Sequence, residues 1–244
     1  GMDAIWKGCQ ENFDKKHIVQ LADYYLKSGF EYGALKRFEQ EGEAYRKGIE
    51  LLETHQIRND ILANLYNNLA ELLECIDERE DLARYYENAI AILEELYVED
   101  RETYTELLGN VYNNMCAYYR AENKYDEALQ CLEKCKKICM DRYEKNPVRG
   151  GRVLAECYIH MAIVHDAMEN KKEVIPTAEK GVAIYEYLYA INPNRFAIEL
   201  SWAYRQVGKW YIVAGDIISG INKLKNSIEV LAGTENVYIA QSQG

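Results

Sequence analysis

Apolar positions along the chain fall into paired helical stripes. In the clearest stretch Tyr112, Met115, Cys116 and Tyr119 stand at i, i+3, i+4 and i+7, one face of an α-helix. The polar run from Arg120 to Lys124 interrupts that stripe. A second stripe follows, Ala128, Leu132, Cys135 and Cys139, and is predicted to run to about Tyr143. Asn146-Pro147 stops it, because proline lacks the amide a helix needs and restricts the residue before it. Two such helices joined by a short turn make an antiparallel hairpin.

The hairpin recurs. Tyr66, Tyr112, Tyr158 and Tyr204 are each 46 residues apart. Three residues on come Leu69, Met115, Met161 and Val207, then the small residues Ala70, Cys116, Ala162 and Gly208, then Leu73, Tyr119, His165 and Tyr211. The stop signal recurs as Tyr189, Asn192 and Pro193, while after Tyr97 the pair Asp100-Arg101 stands in its place. Gly150-Gly151 follows the proline and reads as a turn in an inter-unit loop. A degenerate copy is read at the N-terminus, where Leu21, Ala22 and Tyr25 align with Leu69, Ala70 and Leu73 at an offset of 48. In the same copy Ala34 and Phe38 align with Leu82 and Tyr86. The predicted fold is all-α, a single solenoid domain over 1–244 with about five helix-turn-helix units. Their expected bounds are about 11–56, 57–101, 102–147, 148–193 and 194–232, with a tail at 233–244 that caps the stack or frays. No lone hairpin can bury its apolar face, so stability is expected to come from stacking.

These residues resemble the tetratricopeptide repeat (TPR) family. An aromatic, a leucine, a small residue and a tyrosine mark the family's first helix, and Lys124-Tyr125-Asp126-Glu127-Ala128-Leu129 is similar to its turn into the second. The likeness runs over roughly residues 11 to 232. Family units are shorter than the 46 residues here, so the nearest flavour is the long-unit type similar to kinesin light chain repeats. Gly220 and Ser227, and Val174 and Gly181, replace the family's second-helix alanines in the last two units. The resemblance implies a right-handed superhelix whose first helices line a concave groove that binds protein segments.

With Tyr66, Leu69, Ala70 and Leu73 packed, the opposite face of the helix carries Asn64, Asn67, Asn68, Glu71 and Glu74. One unit on it carries Asn110, Asn113, Asn114, Ala117 and Arg120. An asparagine amide donates and accepts, so it can hold a peptide backbone whatever the side chains. The resemblance implies that role for Asn64, Asn67, Asn68, Asn110, Asn113 and Asn114. The fourth unit offers Glu156, Ile159, His160, Ile163 and Asp166, and the fifth offers Trp202, Arg205, Gln206 and Lys209. Arg205 and Lys209 lie one turn apart and, with Trp202, suit an acidic or C-terminal carboxylate group. The family's carboxylate-holding subtype uses lysine, asparagine and arginine across three units. Asn67 and Asn113 fit it in part, but the lysines are missing.

The balance of charge changes the list of partners. The 244 residues carry a net charge of −11, which argues against nucleic acid and an anionic membrane surface. A basic peptide or basic protein patch is steered toward such a surface. Seven cysteines scattered among helical positions do not read as a disulfide framework. No leader or apolar run of about 18 residues is seen, so a reducing cytoplasm is expected. Gly1 before Met2 reads as the remnant of a purification tag.

Candidate chemistry is sparse. Cys131, Cys135 and Cys139 are spaced as a packed helical stripe rather than as zinc ligands, and Cys9, Cys75 and Cys157 have no evident partners. His160 and His165 point to different sides of one helix, and His165 occupies a packing column. His17 and His55 lack ligand spacing, and no phosphate loop or nucleophile motif is present. The chain therefore reads as a protein–protein interaction scaffold, with no catalytic residue, metal or cofactor. Alternatives are a self-associating assembly module, forming a homo-oligomer, and a peptide-sensing regulatory subunit.

Overall fold

The computed structural model describes residues 14–79 and 81–242, with side chains described as far as 232. Cys9, the Gly1-Met2 start and the first residues of the first expected unit lie outside them. The described residues form ten helices and no strand. These are α1 (Lys15–Ala34), α2 (Phe38–Thr54), α3 (Asp60–Cys75), α4 (Leu82–Glu99) and α5 (Arg101–Ala121). They continue as α6 (Tyr125–Lys145), α7 (Pro147–Ala167), α8 (Lys171–Ile191), α9 (Pro193–Val213) and α10 (Ile217–Ser242). α10 runs on through most of the stretch expected to be a separate tail. No described helix is long and apolar enough to cross a membrane.

Contacts divide the chain into two compact units, Gly1–Tyr104 and Thr105–Gly244, with the boundary inside α5. In the first, α1 packs on α2 and α3, α2 on α3, and α3 on α4. In the second, consecutive helices from α6 to α10 pack on one another. The Cys135 Sγ of α6 donates to the Gly109 carbonyl of α5 at 3.5 Å, so that pair is close too.

The turn between the helices of a hairpin has a fixed construction. Asp77, Asn123, Glu169 and Gly215 all have positive φ, between 57° and 91°, and are spaced by 46 residues. Each ends a first helix in the left-handed conformation, which lets the next amide reach back five residues. Those amides, of Glu78, Lys124, Asn170 and Asp216, donate to the carbonyls of Leu73, Tyr119, His165 and Tyr211 at 2.8–2.9 Å. The acceptors are the fourth repeated column of the sequence.

The corner between hairpins is as economical. Asn146 alone separates α6 from α7, and Asn192 alone separates α8 from α9. Their side chains accept from the amides of Arg149 and Arg195 at 3.1 and 3.2 Å, with proline at the first helical position. Asn-Pro thus ends one helix and starts the next. Asp100 does the same work, accepting from the Thr103 amide at 3.1 Å, which explains how Asp-Arg can replace Asn-Pro.

Two sequence expectations need correction. Gly150 and Gly151 are not in a loop but buried in the first turn of α7. There the absence of a side chain lets α7 approach the backbone of Tyr143. The first copy is also misaligned. Its left-handed turn residue is Lys36, and the Arg37 amide donates to Tyr32 rather than Tyr25. Tyr25 therefore matches Tyr66, buried Gly29 matches Ala70, and buried Tyr45 matches Tyr86, an offset of 41 instead of 48. The error is seven residues, two helical turns, a slip that leaves the buried face unchanged.

The tyrosine column is core in all four copies, with Tyr66, Tyr112, Tyr158 and Tyr204 buried. Tyr66 donates its hydroxyl to Glu53, and Tyr204 donates to Glu186 at 2.8 Å. Lys134, Lys180 and Lys223 of the paired second helices lie 5.3–5.8 Å from the ring centroids of Tyr112, Tyr158 and Tyr204. Burying each ring is worth about 1.5–3 kcal/mol. The cysteine stripe is packed as its spacing predicts. Cys131, Cys135 and Cys139 are buried, and Cys157 donates to the Leu132 carbonyl at 3.2 Å. Burial pushes the Cys116 and Cys131 thiols up to about 12 and 11, far from the reactive thiolate.

Candidate functional site

The first helices α3, α5, α7 and α9 are each buried over most of their circumference, which narrows the face left open. On α3 the buried set includes Leu62, Ala63, Leu65, Tyr66, Asn67, Leu69, Ala70, Leu72 and Leu73. What remains is a stripe of Asn64, Asn68 and Glu71, roughly 60° wide at 100° per residue. The same register leaves Asn110, Asn114 and Ala117 on α5, Glu156, His160 and Ile163 on α7, and Trp202, Gln206 and Lys209 on α9.

This sorts the expected contact residues. Asn67 and Asn113 do not stand on the open face but are only 7% and 1% exposed. They sit at about 100° from the tyrosine column, on a flank that packing covers. Asn67 donates to Glu71 Oε1 at 2.6 Å and Asn68 Oδ1 at 3.3 Å. Both amide atoms of Asn113 are shut away from solvent without a hydrogen-bond partner. In the next copy the same position is held by Ile159, also buried, and in the last by Arg205, which is exposed. Asn64, Asn68, Asn110 and Asn114 are half-buried on the stripe, and Lys209 is exposed.

Within the second unit the stripe is chemically graded. Asn110 accepts from Arg152 Nη2 at 2.9 Å, and the same guanidinium meets Glu106 at 3.0 Å and Glu156 at 3.6 Å. Burial opposes the Arg152 charge, but these carboxylates outweigh it and hold the guanidinium protonated. Half-buried His160 has an unpartnered Nδ1, and burial, helped by the Arg120 charge, pushes its imidazole down to about 4. It is therefore neutral at pH 7. Its ring stands edge-on to Trp202, centroids 6.1 Å apart at 87°. Trp210 donates to Asp166 at 3.1 Å, and Lys171 pairs with the same carboxylate at 2.5 Å. The polar end is therefore at α5 and the aromatic, positive end at α9. Among the described residues no group of three His, Cys, Asp or Glu is arranged to hold a metal ion.

A second polar cluster of this unit was missed in the sequence: Arg142, Arg149, Arg152 and Arg195 line one cavity with Glu106, which pairs with Arg152 at 3.0 Å and Arg142 at 3.8 Å. Its one visible signal was the arginine that follows each Asn-Pro by two residues.

No family model matches the chain, and no curated protein matches it. Solved structures do. BtubC (BKLC) from P. vanneervenii aligns over 90% of this chain and 80% of its own, with TM-score 0.64 and 18% identity. Nearly identical TPR-like repeats of kinesin light chain type from Podosopora anserina align over 92% of this chain and 100% of theirs, with TM-score 0.67 and 15% identity. The fold is TPR-like. A Rap protein complexed with competence and sporulation factor aligns over 98% of this chain and 61% of its own, with TM-score 0.65 and 15% identity. The TPR-like solenoid accounts for the repeated columns, the left-handed turns and the open first-helix stripe together.

Proposed function

We propose that this protein is a non-enzymatic interaction module that holds an extended segment of a partner protein along the open stripe of the second unit. The observation that carries the reading is the position of Trp202. It is a large aromatic ring left half-exposed, supported by His160, with exposed Arg205 and Lys209 beside it. Tryptophan and arginine dominate binding energy at protein interfaces. Asn114 and Gln206 supply amides that can pair with a backbone, and Arg205 and Lys209 favour an acidic end of the segment at α9. Support also comes from the Rap protein, which shares the fold and was solved with a bound factor. The test is titration with a segment selected from a displayed peptide library. Trp202→Ala is expected to weaken binding about tenfold, and Asn114→Ala and Lys209→Ala about fivefold each. Unchanged affinity in all three variants, with folding intact, would sink the reading.

A second reading is favoured by one observation on α10. Ile228 and Leu231 are 69% and 40% exposed, whereas their counterparts one copy earlier, Val182 and Tyr185, are 1% and 2% exposed. Ile217, Ile218 and Ile221 extend this apolar surface. A second copy of the chain would bury it. Light scattering over a range of concentrations should then show a dimer that Ile218→Asp with Ile228→Asp converts to monomer. A monomer at every concentration rules this reading out.

A further inference from the structure

First and last described helices expose the two halves of an interface that the chain uses internally. First helices sit on the second helix before them. Leu65 of α3 lies against Gly48 of α2, where a Cβ would stand 2.8 Å from its Cδ1. Cys157 of α7, two copies on at the same place, donates to the Leu132 carbonyl of α6 at 3.2 Å. The tyrosine column reaches back the same way, Tyr66 donating to Glu53 of α2 and Tyr204 to Glu186 of α8.

Among the described residues no second helix precedes α1. With the offset of 41, its residue at the place of Leu65 is Tyr24. Tyr24 is 53% exposed, whereas Leu65, Val111, Cys157 and Ala203 at that place are 0–3% exposed. The receiving face is open on α10. The places of Gly48 and Leu132 are held there by Ser227 and Leu224, with Ile228 and Leu231 along the same side. The counterparts of Ile228 and Leu231, Val182 and Tyr185, are buried in the preceding copy, where α9 packs on α8. α10 also carries exposed Ile217 and Ile218 where α8 carries Lys171 and Lys172, so its apolar surface exceeds what an open repeat alone leaves bare.

Charge separates the ways in which such ends can meet. Gly1–Tyr104 holds 23 acidic and 12 basic residues, and Thr105–Gly244 holds 17 of each. The whole excess of negative charge therefore belongs to the unit that carries α1. Two α1 ends repel, whereas an α1 end meets no net charge in the unit that carries α10.

We propose that copies of this chain associate head to tail, the α1 flank bearing Tyr24 of one copy seated on the α10 face of Leu224, Ile228 and Leu231 of another. The inference rests on the reading that a second copy covers α10, and it names the surface that does so. A pair joined this way keeps one free α1 end and one free α10 end, so it is not closed. The dimer is then a first step, and mass grows past it as concentration rises.

Sedimentation velocity on the full chain, at up to about 0.3 mM, tests this with two single variants. Tyr24→Glu blocks the α1 end and Ile228→Asp blocks the α10 end. Both positions are exposed, so each variant is expected to keep the parent's circular dichroism and Tm. Each alone should associate at least about tenfold more weakly than the parent, since a charge would be buried in the contact. An equal mixture should form a dimer and nothing larger, because one sound α1 end meets one sound α10 end and the other two are blocked. Tyr24→Lys, of opposite charge, should behave as Tyr24→Glu does. A Tyr24→Glu dimer, with Ile228→Asp monomeric and no gain on mixing, overturns head-to-tail stacking but keeps α10 as a self-association face. Weakened variants that fail to pair on mixing overturn it too. A parent chain that is monomeric throughout overturns both readings.

Discussion

Alanine at Gly150 is expected to destabilise the second unit by about 3 kcal/mol, the upper end for overpacking a tight core. A Cβ there would stand 2.4 Å from the Tyr143 nitrogen, 2.6 Å from its Cα and 2.8 Å from the Arg142 carbonyl carbon. These are backbone atoms, so no rotamer change relieves the overlap, and α6 and α7 must separate. The single-residue corner at Asn146 leaves little freedom to do so. Intrinsic preference runs the other way, since alanine favours a helix over glycine by about 1 kcal/mol. Gly151→Ala is the control. Its Cβ would meet the side-chain ends of Ile184 and Leu188 at 3.1 and 3.2 Å, so a smaller loss is expected. Urea unfolding followed by circular dichroism separates the two, read as distinct transitions if the array does not unfold as one step. A Gly150→Ala protein as stable as the parent would mean that the corner is not this tight.

Replacing Asn113 by leucine is expected to stabilise the protein by about 2 kcal/mol. The side chain is 1% exposed and neither amide atom has a hydrogen-bond partner, so the fold bears its desolvation without return. Leucine has the same branched heavy-atom outline, with bulkier ends, and removes both unpaired atoms. The buried Ile159 at the same place in the next copy indicates that an apolar side chain suits this flank. The shift in the urea midpoint, with the slope unchanged, measures the gain. A loss of stability would instead show that the amide is held by a buried water, which leucine would strand.

How much was legible in the sequence differs by level. The columns beginning at Tyr66, Tyr112, Tyr158 and Tyr204 carried the hairpin unit, because a buried position must stay apolar in every copy. They could not set the phase of the first copy. A slip of two turns keeps Tyr25 on the buried face, and only the backbone turn at Lys36 resolves it. Gly150-Gly151 misled because the pair is common in turns, while its use here is close helix approach, a three-dimensional fact. Asn67 and Asn113 misled for a related reason. A helical wheel separates one packed face from its opposite, but a first helix inside a stack is covered on its flanks as well. The arginine-lined cavity left only the arginine after each Asn-Pro as a trace, because Arg142 and Arg195 are far apart in the chain and line one cavity only once the corners are built.

Amide hydrogen exchange on the complex with a library-selected segment tests the interaction reading most directly. Protection is expected along one stripe of the second unit, in the turns bearing Asn110 to Ala117, Glu156 to Ile163 and Trp202 to Lys209. The segment should slow exchange there and leave α6 and α8 as they are in the free protein. Protection confined to α6, α8 or α10, with α5, α7 and α9 unchanged, would place the binding face elsewhere and contradict it.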